Sequence, residues 1–115
     1  MATRTIKKGK RVVARCKVCI SLISQATGLM FSKKRNLLFV FPSERRVSLH
    51  MFFVFFPIWV VFLDKNKKVI RIAKLIPFLS VVYPKEKCKY IMEMFKNPNL
   101  KLGDTLTWQD GKNPS

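Results

Sequence analysis

The sequence predicts a mainly β protein, a small single-domain β-sandwich or partly open barrel with one N-terminal amphipathic helix. Short apolar runs, rich in aromatic and β-branched residues, alternate with polar turn segments along most of the chain. The length of 115 residues fits one domain, and an apolar content of 49% is enough for a hydrophobic core. We therefore treat residues 1–115 as one domain, with a basic arm at residues 1–11 and a disordered tail at residues 109–115.

The N-terminal part of the chain contains the basic arm and the predicted helix. Within residues 1–17, the stretch RVVARCKV could pair as an edge strand, where charged side chains limit aggregation. In the following stretch KVCISLISQATGLM, apolar residues recur at steps of three and four, which predicts a helix of about three turns. These apolar residues are Val18, Leu22, Ile23, Ala26 and Met30. Gly28 stands where the helix would end, because glycine reaches the left-handed conformation cheaply.

The uncharged segment MFFVFFPIWVVFL, which begins at Met51, is predicted to supply core strands. Val47, Leu49 and Met51 alternate with polar residues, which predicts a strand with one solvated face. Pro57 divides the segment, since proline cannot donate to a central ladder, and residues 59–63 are predicted to be a second buried strand. As a helix the segment would cover about 20 Å of a roughly 30 Å hydrocarbon layer, so no transmembrane span is predicted.

Shorter apolar runs predict the remaining strands. Residues 37–41 are predicted to form a buried strand closed by Pro42. A polar hairpin turn is predicted at residues 64–67, because Asn66 tolerates positive φ, and it leads into a strand over residues 69–76. Further strands are predicted at residues 79–83, 90–95 and 105–108. No internal repeat or linker interrupts this series, which agrees with a single domain.

The chain is strongly basic, with 23 Lys and Arg residues against six acidic residues and a net charge of +17. Such a protein attracts polyanions, which include nucleic acid, anionic lipid surfaces and acidic proteins. The alternative is that the charge reflects compositional bias and a merely solvated surface. The candidate residues for binding anions or nucleic acid are Lys7, Lys8, Lys10, Arg11, Arg15, Lys17, Lys33, Lys34, Arg35, Arg45 and Arg46.

No residue pattern predicts catalysis, a metal site or a cofactor. The three cysteines are an odd number, which favours a reducing cytoplasm over a disulfide-rich secreted protein. The pair Cys16 and Cys19 would need two further zinc ligands. Only Cys88 and His50 could supply them, so ordinary apolar cysteines are expected. His50 and Glu93 are expected on solvated strand faces, and the sequence leaves open whether they line a pocket.

Six blocks of the sequence, taken in order, resemble the domain of unknown function 192 family of bacteria and archaea. The blocks are GLMF, LLFVFP, HMFFVFFPIWVVFLD, KVIRI, YIMEM and LGDTL, and the resemblance runs from about residue 18 to Trp108. It implies a small β-rich, sandwich-like domain with a helix near the N-terminus, and it implies no function, because none is established for the family. The positions that fit the family pattern are Gly28, Met30, His50, Met51, Pro57, Asp64, Gly103 and Asp104.

The chain also departs from the family that it resembles. Many members resemble Met-Lys-Asn-Thr where this chain has MFFV from Met51, and they tend to have Asp where Trp59 stands. If those polar residues form a site in the relatives, this chain has lost most of it. The matching positions have structural explanations, for example Gly28 as a helix cap and Asp64 as a turn residue.

Four functions follow as expectations. The first is a small non-enzymatic β-sandwich domain that binds a ligand or partner which the sequence does not identify. The alternative is a nucleic-acid-associated accessory protein that binds phosphates through its basic N-terminal arm. Peripheral contact with a membrane, through charge and the predicted helix, is a third. The fourth and least favoured is a hydrolase with an unrecognised site around His50. We expect deletion of residues 1–11 to leave the fold intact and to remove most polyanion binding.

Overall fold

The computed structural model describes residues 3–19, 36–45, 49–50, 57–75, 81–82 and 87–109, and these form β-strands and loops. The strands are β1 (Thr3–Lys8), β2 (Arg11–Cys19), β3 (Leu37–Arg45), β4 (Leu49–His50), β5 (Ile58–Leu63), β6 (Val69–Leu75), β7 (Val81–Val82) and β8 (Cys88–Met94). Among the described residues, no helix is long and apolar enough to cross a membrane.

Six of the strands form one curled sheet in the order β1-β2-β3-β8-β5-β6. Neighbouring strands are antiparallel except β2 and β3, which run parallel. The strands β4 and β7 pair with each other, with Leu49 opposite Val82 and His50 opposite Val81. The prediction of a mainly β fold is confirmed. The curled sheet forms a half-barrel, and the described residues do not form the two stacked sheets of a sandwich.

Residues 103–107, which we call the C-terminal strap, connect the two edges of the curled sheet. At β1, Lys7 and Thr107 exchange two backbone hydrogen bonds, with N···O distances of 2.9 and 2.8 Å. At the turn before β6, the backbone N–H of Leu106 donates to the carbonyl of Lys67 at 2.9 Å. Because β1 and β6 are opposite edges of the sheet, the strap satisfies exposed backbone groups of both and narrows the opening of the half-barrel.

The alternating side chains of the strands form two hydrophobic clusters, one on each face of the sheet. The first cluster, which we call the barrel cluster, contains residues from all six strands and the strap, so it fills the inside of the half-barrel. Its buried members are Ile6, Ala14, Cys16, Leu38, Val61, Leu63, Val69, Tyr90, Met92, Met94 and Leu106. The outer cluster comprises Leu37, Phe39, Phe41, Ile58, Val60, Phe62, Cys88 and Ile91. The central strands are therefore buried on both faces, and each fully buried large apolar side chain contributes about 1.5–3 kcal/mol.

The predicted amphipathic helix is not supported by the structure. Val18, the first residue of its apolar stripe, lies in β2 and pairs with Leu38 of the parallel strand β3. An interior strand needs apolar residues on both faces, so a few such residues also match helical spacing by chance. Residues 20–35, which include the predicted cap Gly28, lie outside the described part of the chain.

The strand β3 is longer than the sequence predicts. The predicted strand ends before Pro42, whereas β3 continues to Arg45. The pairing of β3 with β8 shifts register between Val40 and Arg45, and Pro42 is exposed within this irregular stretch. The strand tolerates Pro42 because the hydrogen-bond ladder with β8 is interrupted there, so no backbone N–H is required at this position.

The predicted hairpin at residues 64–67 is confirmed by the antiparallel pairing of β5 and β6. The carboxylate of Asp64 accepts hydrogen bonds from the backbone N–H groups of Asn66 at 2.8 Å and Lys68 at 3.0 Å. These bonds fix the turn, which explains the structural role expected for Asp64. The residue with positive φ is Lys67, at 63°, rather than Asn66.

Residues 3–8 of the predicted basic arm form β1, an edge strand of the curled sheet. Ile6 is fully buried in the barrel cluster and lies opposite Ala14 of β2. The expectation that residues 1–11 can be deleted without loss of the fold is therefore revised, because the deletion removes a strand and a core side chain. Of the predicted tail, Gln109 is exposed, and residues 110–115 lie outside the described part.

Candidate polyanion-binding surface

The hairpin of β1 and β2 places basic side chains on one outward face. Thr3 lies opposite Lys17 and Thr5 lies opposite Arg15, and residues directly opposite each other share a face of the sheet. Strand alternation places Lys7 on the same face as Thr5, while the other face of the hairpin is buried in the barrel cluster. We call Lys7, Arg15 and Lys17 the cationic face. Lys7 and Arg15 are exposed, and Lys17 is half-buried.

Two other predicted anion-binding residues of the hairpin make contacts within the chain. Lys8 Nζ forms an ion pair with Asp104 at 3.1 Å, the single ion pair among the described residues. The guanidinium of Arg11 donates to the carbonyl oxygens of Asn99 at 3.0 Å and Pro98 at 3.4 Å. Lys8 therefore ties the hairpin to the strap, and Arg11 ties it to the loop before the strap. Both are less available to a ligand than the residues of the cationic face.

The residues Gly103 and Asp104 hold the strap in place. The carboxylate of Asp104 accepts a hydrogen bond from the backbone N–H of Lys101 at 2.8 Å and contacts Lys8 Nζ. These two hydrogen bonds, that of Lys101 first, lower the pKa of Asp104 below its usual value. Gly103 has a φ of 91°, which favours glycine. Both family-pattern positions thus take part in the turn at the start of the strap.

The tip of the β1–β2 hairpin is the two-residue turn of Gly9 and Lys10. Gly9 has a φ of 61° at the first central position, as tight hairpin turns require. Lys10 is exposed at this tip, and it is not one of the residues that make the contacts described for Lys8 and Arg11. It adds positive charge to the end of the hairpin without belonging to the cationic face.

A cleft of about 500 Å³ adjoins the cationic face. It is lined by Thr3, Arg4, Thr5, Lys7, Thr107, Trp108 and Gln109. This lining supplies two cations, hydroxyl and amide groups, and an indole, but no carboxylate. Lys7 belongs to both the cleft and the cationic face. Sequence reasoning missed this cleft, because no local pattern shows that residues 107–109 lie beside β1.

The indole of Trp108 has a defined position in the wall of the cleft. Its ring is perpendicular to that of Tyr90, with the ring centroids 4.9 Å apart and an interplanar angle of 87°. Lys67 Nζ lies 4.4 Å from the centroid of the indole and donates to the backbone carbonyl of Trp108 at 3.3 Å. These contacts restrict the indole before any ligand binds.

Glu93 is buried rather than solvated, which contradicts the sequence prediction. Its side chain is 1% exposed, and neither carboxyl oxygen has a hydrogen-bond partner. It lies opposite Leu37 and Val60, both members of the outer cluster, and burial raises its pKa to about 8. Glu93 therefore carries a proton at neutral pH. The prediction was wrong because alternation assigns a face of the strand, not whether that face meets solvent.

The described cysteines do not form a site together. Cys16 belongs to the barrel cluster and Cys88 to the outer cluster, so the sheet separates their side chains. Burial raises the pKa of the Cys16 thiol to about 12, which makes it a poor nucleophile at neutral pH. Within the described residues, no group of His, Cys, Asp and Glu side chains could hold a metal ion.

Several predicted residues lie outside the described part of the chain. They are Lys33, Lys34, Arg35 and Arg46 of the anion-binding candidates and Gly28, Met30 and Met51 of the family-pattern positions. Arg45 ends β3 and His50 belongs to β4, but their side chains also lie outside the described part. Pro57 is exposed and directly precedes β5. Of the anion-binding candidates, the structure therefore brings Lys7, Arg15 and Lys17 onto one face.

The curled sheet, the strap and the basic hairpin define a small, barrel-like β domain with a cationic surface. The chain belongs to the DUF192 family, described as Uncharacterized ACR, COG1430, whose model matches residues 3–108. The resemblance found in the sequence is confirmed. UPF0127 protein PF1050 of Pyrococcus furiosus is 36% identical over 110 residues, which cover 90% of this chain and 94% of that protein. UPF0127 protein PH1112 of Pyrococcus horikoshii is 35% identical over 99 residues, covering 80% and 85%.

Two solved structures have a similar fold. One, from Sinorhizobium meliloti, is described as "a putative transcription regulator"; its TM-score is 0.78, with 19% identity over 92% of this chain and 91% of that chain. The other is a protein of unknown function from Novosphingobium aromaticivorans, with a TM-score of 0.77 and 17% identity over 92% and 84% of the two chains. At these identities the likeness shows the fold alone.

Proposed function

We propose that the chain is a non-enzymatic binding domain whose cationic face binds the phosphates of nucleic acid. The observation that carries the proposal is the placement of Lys7, Arg15 and Lys17 on one outward face of a strand pair. None of the three forms an ion pair among the described residues. The sheet fixes the backbone positions of the three residues, so binding to a phosphate backbone orders their side chains but requires no ordering of the backbone.

The acidic groups of the described chain do not compete for this face. Asp104 is engaged by Lys8, and Glu93 is buried and protonated at neutral pH. Glu44 accepts a hydrogen bond from the backbone N–H of Lys65 at 2.9 Å, and Asp64 is held in its turn. Among the described residues, no carboxylate therefore pairs with Lys7, Arg15 or Lys17, which supports attraction of polyanions to this face.

Binding of this kind is independent of sequence and sensitive to salt. Three phosphate contacts correspond to a log–log salt slope of about −2 for a single strand and about −3 for duplex DNA. The fold is shared with a structure described as "a putative transcription regulator", which is compatible with nucleic-acid association. We place this activity in the cytoplasm, where the odd number of cysteines is expected to remain reduced.

The proposal is tested with the triple variant Lys7→Gln, Arg15→Gln and Lys17→Gln. Fluorescence anisotropy of a labelled oligonucleotide, measured from about 50 to about 300 mM salt, gives the affinity and the salt slope. We expect the magnitude of the log–log salt slope to fall by about 2 to 3, because each lost phosphate contact lowers it by about 0.7 for a single strand and about 0.9 for a duplex. Gln removes the positive charge and keeps a polar, unbranched side chain, although it is shorter than Lys and Arg.

A matched control removes three exposed lysines elsewhere in the chain: Lys65→Gln, Lys87→Gln and Lys96→Gln. Both triple variants reduce the net charge from +17 by three, to +14. If both lose the same affinity, bulk charge rather than the cationic face binds the oligonucleotide, and the proposal fails. Binding to phosphatidylserine vesicles without binding to the oligonucleotide would contradict it as well.

A further inference from the structure

We propose that the cleft beside the cationic face accepts an unpaired base, so that the preferred ligand is single-stranded nucleic acid rather than a duplex. This inference rests on the proposed function and names the form of its ligand. It is carried by the position of the cleft, which shares Lys7 with the cationic face. A phosphate bound at Lys7 would bring the adjoining nucleotide to the mouth of the cleft.

The lining of the cleft matches the chemistry of a nucleotide. Arg4 and Lys7 can meet a phosphate, and Trp108 offers an aromatic wall for a base. Gln109 and the hydroxyls of Thr3 and Thr5 can exchange hydrogen bonds with base edges or sugar. The volume of about 500 Å³ falls within the range of small-ligand pockets, roughly 300–1,000 Å³.

The geometry of the cleft discriminates between single strands and duplexes. Bases in a duplex are stacked and paired, so they cannot enter a cleft without the cost of flipping. Bases of a single strand are already available for contact with an aromatic side chain. A cleft lined by an indole therefore adds affinity for single strands, whereas the cationic face alone binds phosphates of either form.

The wall of the cleft is already positioned for binding. Thr107, which precedes Trp108, is fixed to Lys7 by two backbone hydrogen bonds, and the indole contacts Tyr90 and Lys67. Binding then requires little ordering of the protein, which preserves the favourable energy of the base contact.

The first test uses the unmodified chain and needs no substitution. Its affinity is measured by anisotropy for an oligothymidylate, for an abasic strand with the same number of phosphates, and for a duplex of the same length. We expect the abasic strand to bind about 5-fold or more weakly than the oligothymidylate, because contact of one base with an aromatic side chain supplies at least this factor.

The second test observes Trp108 directly. The chain has two tryptophans, so Trp59→Phe leaves Trp108 as the single indole, and Trp108→Phe leaves Trp59 as the matched control. Oligothymidylate should change the fluorescence of Trp108 saturably and leave that of Trp59 unchanged. The abasic strand and the duplex should leave both unchanged.

The outcomes separate this inference from the proposed function. Equal affinity for the oligothymidylate and the abasic strand, with unchanged Trp108 fluorescence, overturns the role of the cleft. The phosphate-binding function then still stands if the triple variant Lys7→Gln, Arg15→Gln and Lys17→Gln binds more weakly than its control. If none of the three nucleic acids binds in a salt-dependent way, both the role of the cleft and the phosphate-binding function are overturned.

Discussion

Lys7 and Thr107 exchange two backbone hydrogen bonds, at 2.9 and 2.8 Å, although they lie near opposite ends of the chain. This pair connects the edge strand β1 to the C-terminal strap, and the strap reaches the far side of the sheet through Leu106 and Lys67 at 2.9 Å. One short segment therefore joins both edges of the half-barrel, and its last residue, Thr107, lines the cleft beside Trp108. We expect the strap to contribute to both stability and binding.

We predict that Leu106→Ala destabilises the protein by about 2–5 kcal/mol. Leu106 is 1% exposed in the barrel cluster, so its truncation removes buried apolar contacts and leaves a cavity. The free energy of unfolding, measured by urea denaturation, checks the value.

Leu102→Ala is the matched control for that prediction. Leu102 lies just before the strap and is 67% exposed, so the same truncation should change the free energy of unfolding by no more than about 0.5 kcal/mol. Similar losses from the two variants would show that Leu106 is not part of the core.

We predict that deletion of residues 1–11 abolishes the cooperative thermal unfolding transition. The deletion removes β1, leaves β2 unpaired on one side and empties the core position of Ile6. Calorimetry of the truncated chain checks the result. The triple variant Lys7→Gln, Arg15→Gln and Lys17→Gln should keep a cooperative transition, because only the charges of the hairpin change; an intact transition after the deletion would contradict the role of β1.

We predict that the free energy of unfolding of the parent chain decreases as the pH rises, and that Glu93→Gln removes this decrease. Burial raises the pKa of Glu93 from 4.5 to about 8, so between these values the folded protein binds more protons than the unfolded chain. The protonated side chain carries no penalty below pH 4.5. Stability then falls by up to about 1.4 kcal/mol per pH unit until the pH reaches the folded pKa.

Urea denaturation at a series of pH values between 5 and 8 measures this slope. Glu44→Gln is the control, because Glu44 lies near the surface and accepts one backbone hydrogen bond at 2.9 Å. The parent chain and the Glu44 variant should share the slope, and the Glu93 variant should lose it. A slope that is unchanged in Glu93→Gln would mean that its carboxyl is not the group that titrates.

We predict that the thiols of Cys16 and Cys88 do not react with a chromogenic disulfide reagent in the folded protein. Both residues are fully buried, and with a pKa of about 12 only about one Cys16 thiol in ten thousand is ionised at pH 8. The test uses Cys19→Ser, so that Cys16 and Cys88 are the remaining thiols, and both should react after denaturation. Adding Val12→Cys, at a position that is 52% exposed, provides a thiol that should react at once.

Local patterns in the sequence predicted those elements whose signals lie within a few residues. The β5–β6 hairpin was predicted because a polar turn with Asp64 separates two β-branched runs, and the structure confirms it. The helix prediction failed at Val18 because an interior strand buries both faces, so its apolar residues also fall at helical steps.

The candidate site was predicted in part. The basic residues Lys7, Arg15 and Lys17 were recognised, but their common face depends on the register between β1 and β2, including its shift after Ile6. The involvement of Trp108 had no sequence signal, because its distance from β1 is set by the strap.

The sequence by itself determined the β class, the family, the excess of positive charge and the strong turns. Each of these depends on composition, on residues close together in the chain, or on the order of short blocks. Only the tertiary structure decided that Glu93 is buried, that Lys8 and Arg11 make internal contacts, and that Lys7 meets Thr107. Those outcomes depend on strand register and on long-range pairing, in which a shift of one residue reverses every face.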